Sequence, residues 1–294
     1  MEKDYMLRAM SRDGHLRAFA VNSKTIVSDA YRAHGTTPVV TAALGRLLSA
    51  GVMMGAMCKG DADILTISLK GDGPAGSVTV TADAKGRVKG FAANPKVEIP
   101  LKSNGKLDVG GAIGRGTLTV IKDLGLKDPY IGQTELVNGE VAEDLTYYFA
   151  ASEQVPSSVG LGVLVNPDGT VRQAGGFIVQ VMPDAPDELI DTLEKNIGSL
   201  KPVTTSLEGG ESIEDILSHV FENIEYDITS KSDIAFYCNC SRDRISKALI
   251  SVGEKDLKSM IDDGKDIEVK CHFCNKGYQF TVDDLKELLD LSRS

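Results

Sequence analysis

The sequence lacks any concentrated patch of basic residues. Its 294 residues contain 32 Lys and Arg against 42 Asp and Glu, which gives a net charge of −10. Residues 1–180 have a net charge of +1 and residues 231–294 of −1, whereas residues 181–230 hold twelve acids and only two bases, Lys195 and Lys201. Because a nucleic-acid-binding surface needs clustered Lys and Arg, we expect no nucleic-acid partner. Nearly all of the acidity lies in one connecting segment.

The chain also lacks the features of an export signal. Residues 1–4 include two acids, where a secretory signal has basic residues followed by an apolar stretch. One weakly charged stretch, residues 39–58, is about as long as a membrane span. It contains Arg46, which is costly in lipid, and it follows Pro38, which suits the first turn of a helix. We therefore expect a buried core helix in a cytoplasmic protein, with no membrane partner.

Nucleotide-binding motifs are missing as well. The sequence has neither a Walker A motif nor a G-x-S-x-G elbow. Residues 71–76 match the dinucleotide pattern G-x-G-x-x-G, but residues 77–81 read as a strand, and a helix would have to follow for pyrophosphate binding. Pro74 further favours a turn. We interpret this segment as a hairpin turn and expect no nucleotide.

The fold class predicted from hydrophobic patterning is α+β. Alternating apolar residues predict strands at residues 65–69, 78–82, 116–121, 159–165 and 176–181. Helical spacing predicts helices at residues 37–57 and 141–153. Because strands dominate without a steady β-α-β rhythm, an α+β core is favoured over a doubly wound sheet.

Three segments follow along the chain. Residues 1–182 form the predicted core domain, and residues 183–230 form an acidic linker with two amphipathic helices. Their apolar stripes are Leu189, Ile190, Leu193, Ile197 and then Ile213, Ile216, Leu217, Val220. These stripes must lie on an apolar surface while their acidic faces repel one another, so we expect a weakly docked element. Residues 231–294 form a small C-terminal zinc-binding domain with paired strands at 267–271 and 278–281.

Four of the five cysteines form two close pairs. Cys238 and Cys240 are separated by one residue, and Cys271 and Cys274 by two. A Cys-x-x-Cys hairpin turn and a Cys-x-Cys strand can each direct two thiolates at one point, so the pairs predict one tetrahedral zinc ion. His272 is an alternative ligand, but four thiolates suffice. The fifth cysteine, Cys58, is interpreted as a small buried hydrophobic residue.

A dithiol oxidoreductase is a competing interpretation of the cysteine motif. A thioredoxin-like Cys-x-x-Cys begins a helix, whereas residues on both sides of Cys271 and Cys274 are strand-like. Four thiolates also leave no open position on zinc for a catalytic water, so we expect no enzyme activity.

The zinc itself could be purely structural or could act as a redox sensor. A domain of this size buries little surface, and structural zinc typically contributes roughly 10–16 kcal/mol of apparent binding energy. Metal-bound sulfurs are held further apart than the roughly 2.05 Å of a disulfide, so forming a disulfide would release the zinc. Oxidation would then unfold the zinc-binding domain locally, and the acidic linker, which precedes this domain in the chain, would be the next segment to undock.

The sequence resembles the redox-regulated heat-shock holdases, the family of the bacterial thirty-three-kilodalton heat-shock protein, along its whole length. The resemblance rests on residues 34–36, 43–46, 71–78, 122–149, 152–154 and 174–177, and on the Cys-x-Cys and Cys-x-x-Cys pairs. It implies an ATP-independent chaperone that is inactive when reduced and zinc-bound. Oxidation is implied to form the disulfides Cys238–Cys240 and Cys271–Cys274, to release zinc and to expose a surface for unfolding client proteins, often with dimerisation. A constitutive zinc-ribbon binding module with purely structural zinc is the alternative.

Overall fold

The computed structural model describes residues 3–292, and these divide after Tyr237 into two compact units. The strands of the first unit are β1 Tyr5–Ser11, β2 Leu16–Asn22, β3 Ile64–Gly71, β4 Ser77–Asp83, β5 Arg87–Ala92, β6 Gly116–Asp123, β7 Tyr130–Glu135, β8 Ser157–Val165, β9 Val171–Val181, β10 Tyr226–Asp233 and β11 Ala235–Phe236. Its helices are α1 Lys24–His34, α2 Pro38–Gly55, α3 Val109–Ile113, α4 Ala142–Tyr148, which continues as a π-helical turn Phe149–Glu153, α5 Asp187–Ser199, α6 Val203–Glu208 and α7 Ile213–Val220. The second unit contains α8 Arg242–Ser251, α9 Glu254–Asp262, β12 Ile267–Lys270, β13 Gly277–Phe280 and α10 Val282–Leu291.

Two sheets build the first unit. One has the strand order β10-β1-β2-β9-β8 and the other β11-β5-β4-β3-β6-β7, and every pairing is antiparallel except the short one between β11 and β5. A largely antiparallel arrangement of this kind is an α+β fold, which confirms the predicted class. Residues 71–76 form the connection between the antiparallel strands β3 and β4, as expected for a hairpin turn.

The apolar helix α2 is the centre of the core. It packs against β3, β4 and β5 of the larger sheet and against β8 and β9 of the smaller one, and 89% of it is buried. Small residues allow this close approach: a Cβ atom at Gly45 would lie 2.6 Å from Val27, and one at Gly55 would lie 2.8 Å from the carbonyl oxygen of Asp83. The helix that has the length and hydropathy of a membrane span is therefore the core helix that we expected.

A half-buried charge cluster lies beside the middle of α2, at Arg46. The Glu140 carboxylate accepts a hydrogen bond from Arg46 at 2.6 Å, another from the Lys102 ammonium group, and a third from the Gly110 N–H at 3.2 Å. Burial opposes ionisation of Glu140, but its pairs with Lys102 and Arg46 outweigh that effect and lower its pKa. Glu140 therefore favours the folded state only while it is ionised.

We expect Glu140→Gln to lower the free energy of unfolding at pH 7 by about 2 kcal/mol, because Arg46 and Lys102 lose their counter-charge. Since the pKa is lowered by folding, this contribution is complete above the unfolded-state value of about 4.3 and disappears as the pH falls through the folded-state value. Denaturant unfolding of both proteins between pH 7 and pH 3 checks this: the difference should shrink with acid. A difference that is independent of pH would contradict it.

The acidic linker lies on the outer face of the five-stranded sheet. That face presents apolar residues from alternate positions of its strands, among them Leu7, Leu16 and Phe177, and the linker helices cover it with Leu193 and Leu217. The two predicted stripes therefore do meet an apolar surface. The buried side chain of Asn196 also donates hydrogen bonds to the carbonyl oxygens of Val220 and Glu222, which ties α5 to the end of α7.

Two details of the linker region differ from expectation. A third helix, α6, lies between the two predicted helices. Its sequence is short and contains β-branched residues, which disfavour a helix, but Val203 and Leu207 pack on the same sheet face and stabilise it. The compact units also divide after Tyr237, later than residue 231, because β10 pairs with β1 and β11 with β5. The assignment of residues 1–182, 183–230 and 231–294 to a core, a linker and a redox domain stays a prediction.

The second unit has a small apolar core of its own. Its buried members are Leu249, Leu257, Phe280, Leu285, Leu288 and Leu289. Helix α10 starts with a capping box in which Thr281 and Asp284 satisfy each other's backbone N–H groups. The Arg242 guanidinium lies 4.4 Å from the centre of the Phe280 ring and 2.9 Å from Asp284, so one side chain links α8, β13 and α10.

Candidate metal centre

The antiparallel hairpin of β12 and β13 positions two of the cysteines. The Cys271 N–H donates to the Lys276 carbonyl oxygen at 3.0 Å, and the Asn275 N–H donates to the Cys271 carbonyl oxygen at 2.7 Å. Asn275 has φ 58°, a left-handed conformation that Asn tolerates well. The tight turn brings Cys271 and Cys274 together, as the Cys-x-x-Cys spacing predicted.

The other two cysteines lie in an irregular segment that precedes α8. A strand was predicted through Cys238, but β11 ends at Phe236, since its parallel pairing with β5 covers only two residues. That part of the prediction was wrong. Ser241, directly after Cys240, caps α8 by accepting a hydrogen bond from the Arg244 N–H. The segment is therefore held by the N-terminal cap of α8 rather than by backbone hydrogen bonds to a partner strand.

All four sulfur atoms converge. Cys238 Sγ lies 3.7 Å from Cys271 Sγ, and Cys240 Sγ lies 3.4 Å from Cys274 Sγ. The four atoms all lie within 4.8 Å of one another. Tetrahedral Zn–S bonds of about 2.3 Å place sulfurs about 3.8 Å apart, so the spacing fits one zinc ion and is well beyond the roughly 2.05 Å of a disulfide. The four thiols could hold a metal ion, and their geometry is consistent with zinc.

Tyr278 makes one of these thiols more acidic than the others. Burial opposes ionisation of Cys240, but hydrogen bonds from the Tyr278 hydroxyl at 3.1 Å and from the neighbouring thiols lower its pKa to about 7. The same hydrogen bond raises the pKa of Tyr278 to about 12. Burial raises the pKa of both Cys238 and Cys274. The hydrogen bond from Tyr278 thus favours the thiolate form of Cys240, and a bound cation would favour the thiolate form of its cysteine ligands.

The role of Tyr278 was not predicted from the sequence. Strand alternation in β13 places Tyr278 on the same side as the buried Phe280, but only the folded unit brings its hydroxyl to a cysteine 38 residues away. We expect Tyr278→Phe to raise the pKa of Cys240 and so to weaken zinc binding near neutral pH, measured by competition with a chelator, because a cysteine binds zinc as the thiolate. Tyr237→Phe is the control, and equal zinc affinities in both variants would contradict the assignment.

Two further residues from the sequence prediction have clear positions. His272 lies outside the cluster, which consists of the four cysteines alone. Cys58 lies in the first unit, half-buried against the apolar core, and burial raises its pKa. It packs as a small apolar residue, as predicted, but it is half-buried rather than fully buried.

Comparison with known proteins gives the family. Residues 4–281 match the family model described as Hsp33 protein. A 33 kDa chaperonin of Agathobacter rectalis is 58% identical over 97% of this chain and 99% of the relative, and one of Lachnoclostridium phytofermentans is 54% identical over 98% and 99%. The crystal structure of the 33 kDa chaperonin of Thermotoga maritima superimposes with a TM-score of 0.93 at 36% identity, covering 99% of both chains.

The chain belongs to the Hsp33 family. The resemblance expected from the sequence is confirmed. Members of the Hsp33 family are chaperones, so this protein has a chaperone function and binds unfolded client proteins. The Hsp33 fold also agrees with the predicted mixed architecture and its C-terminal cluster of four cysteines.

Proposed function

We propose that this protein is a redox-regulated, ATP-independent holdase of the cytoplasm. In this proposal it is inactive when reduced and zinc-bound, and it binds unfolding proteins under oxidative and heat stress. The observation that supports it most directly is the convergence of four thiols within 4.8 Å in a small unit whose core, within residues 238–292, has six buried apolar side chains. A unit of this size depends on its metal for stability.

The chemical step we propose is the oxidation of each pair of cysteines that are close in sequence, Cys238 with Cys240 and Cys271 with Cys274. Two thiolates lose two electrons and form one S–S bond, while one hydrogen peroxide molecule takes those electrons with two protons and becomes two water molecules. Two peroxide molecules therefore oxidise all four thiolates and release one Zn²⁺. Disulfide sulfurs no longer carry the thiolate charge that binds zinc, and at roughly 2.05 Å they are too close together for two corners of a zinc tetrahedron, so the oxidation removes the ligands.

Loss of zinc is proposed to unfold residues 231–294 and to release the linker, 183–230. The surface made available would be the apolar stripes of α5 and α7 together with the sheet face that they cover, including Leu16, Ala18 and Phe177. Large contiguous apolar surfaces of this kind bind other proteins. We propose that clients are held there, by a homodimer in the active state, without nucleotide.

The experiment follows zinc release and aggregation suppression together, with and without peroxide at raised temperature. A colorimetric zinc chelator reports the metal, and light scattering of a thermally unfolding client reports the chaperone. We expect one zinc released per chain and suppression only after oxidation. Equal suppression by the reduced zinc form would refute the redox regulation and would favour a constitutive module with structural zinc. Catalytic turnover of insulin disulfides would favour an oxidoreductase.

Hydrogen exchange locates the proposed client surface. After oxidation, amides of α5 and α7 should exchange much faster, while those of α2 stay protected because it is the buried core helix. Slow exchange throughout residues 183–230 after oxidation would show that the linker stays docked and that clients bind elsewhere.

A further inference from the structure

Strand β8 is an open edge of the five-stranded sheet. Among residues 3–292 its only strand partner is β9. Every second residue of such a strand turns its backbone N–H and C=O away from the partner strand. The nine residues of β8, Ser-Ser-Val-Gly-Leu-Gly-Val-Leu-Val, contain no charge and no proline, which are the features that usually prevent an edge from pairing.

The other long edges are better protected. At the opposite end of the same sheet, β10 contains Asp227, Lys231 and Asp233 and is exposed along most of its length. The edge strand β7 of the larger sheet has six residues and ends in Glu135. The absence of protecting residues on β8 is therefore not a general property of this fold, and it calls for a physical explanation.

A groove runs along the free edge of β8. Residues 158–165 all line a cavity of about 1150 Å³. One wall is the loop of residues 101–107 with Glu140, and the other is the junction between α5 and α6, residues 200–205. Leu161, Phe177 and Val203 provide apolar surface inside it. This volume exceeds the roughly 300–1,000 Å³ of small-molecule sites, and its strand-edge floor offers backbone donors and acceptors in a row.

The charges around the groove indicate what it would accept. Four of its lining residues are basic and two are acidic: Arg46, Lys102, Lys106, Lys201, Glu140 and Glu143. Glu140 is already paired with Arg46 and Lys102. The exposed part of the rim therefore carries Lys106 and Lys201, which is 70% exposed and 3.9 Å from Glu211, against the single acid Glu143. An occupant with acidic residues beside an apolar stretch is electrostatically favoured over one with basic residues.

We propose that β8 binds an extended polypeptide segment by strand addition, with apolar side chains in the groove and acidic residues near Lys106 and Lys201. The backbone of another strand is the occupant whose alternating N–H and C=O groups match an open sheet edge. The identity of the segment, part of an unfolding client, rests on the proposed holdase function. The groove adjoins the sheet face beneath α5–α7 and shares Phe177 with it, and the α5–α6 junction forms one of its walls. The backbone edge of β8 is not part of that sheet face.

The test uses the full-length protein, reduced and oxidised, and a synthetic peptide of alternating Val and Thr with Glu at both ends. Hydrogen exchange should slow about tenfold in residues 157–165 when the peptide is bound. A peptide with Lys at both ends should bind more weakly, which tests the charge preference without any mutation. Ser158→Lys, a charge on the edge itself, should weaken binding about tenfold. Ser232→Lys, the same change on the charged edge strand β10, should leave binding unchanged.

Two results would overturn this proposal. One is slowed exchange confined to the sheet face of β1, β2 and β9, with residues 157–165 unaffected by the peptide. The other is protection of β8 without peptide in a dimer detected by sedimentation, which would make a second copy the occupant. Peptide-dependent protection of β8 without aggregation suppression would refute the holdase function but not peptide binding at β8. Aggregation suppression without β8 protection would refute peptide binding at β8 but not the holdase function.

Discussion

Replacing Cys271 by serine is expected to unfold most of the second unit, residues 238–294, and with it to release the linker, residues 183–230, while the rest of the first unit stays folded. Cys271 is buried, and its sulfur lies 3.7 Å from that of Cys238 at the centre of the proposed zinc site. Structural zinc contributes roughly 10–16 kcal/mol of apparent binding energy, and a serine hydroxyl is a poor substitute for a thiolate ligand. The six buried residues of this core offer little in compensation.

The measurement combines zinc content with hydrogen exchange resolved by segment. Cys271→Ser should bind far less than one zinc per chain, and amides of α8, α9 and α10 should lose protection. Cys58→Ser is the matched control, because it removes a half-buried thiol from the first unit without touching the cluster. A Cys271→Ser protein with full zinc and a protected α10 would show that three thiolates suffice and that the unit does not depend on the fourth.

The fold class could be predicted because its signals are local. Helix α2 follows from Pro38 and a long apolar run, and β3 and β4 follow from alternation around a turn at residues 71–76. Strand β10 could not be predicted in this way, because its eight residues are mostly polar and mostly exposed and it is held by pairing with β1. Helix α6 was not predicted for a related reason: it is stabilised by packing on the sheet rather than by the helix propensity of its residues.

The candidate site, too, could be predicted only where the signal is local in the sequence. Cysteine spacing identifies all four thiols because a tetrahedral ion demands two close pairs. Spacing does not show that sulfurs of different pairs come into contact, Cys238 with Cys271 and Cys240 with Cys274. It also does not reveal the Tyr278 hydroxyl, whose contact with Cys240 depends on how β13 packs beside the irregular segment.

The linker provides the second large expected effect. Leu217 is fully buried on α7, among residues of the sheet face and of the other linker helices. Leu217→Ala should destabilise the docked linker by about 3 kcal/mol, since it removes packed methyl groups and leaves a cavity. We expect amides of residues 187–220 to exchange faster in the reduced, zinc-containing protein, and the variant to suppress client aggregation partly without any oxidant.

Leu126→Ala is the matched control, because Leu126 is a leucine of the same unit that is 71% exposed and contributes little packing. Zinc content should equal that of the wild type in both variants, so any gain of activity arises from undocking rather than from metal loss. The two readouts separate the steps of the proposed mechanism. Faster exchange together with aggregation suppression would support the covered sheet face as client surface. Faster exchange without suppression would mean that an undocked linker is not sufficient, and that unfolding of the zinc-binding unit must itself contribute to client binding.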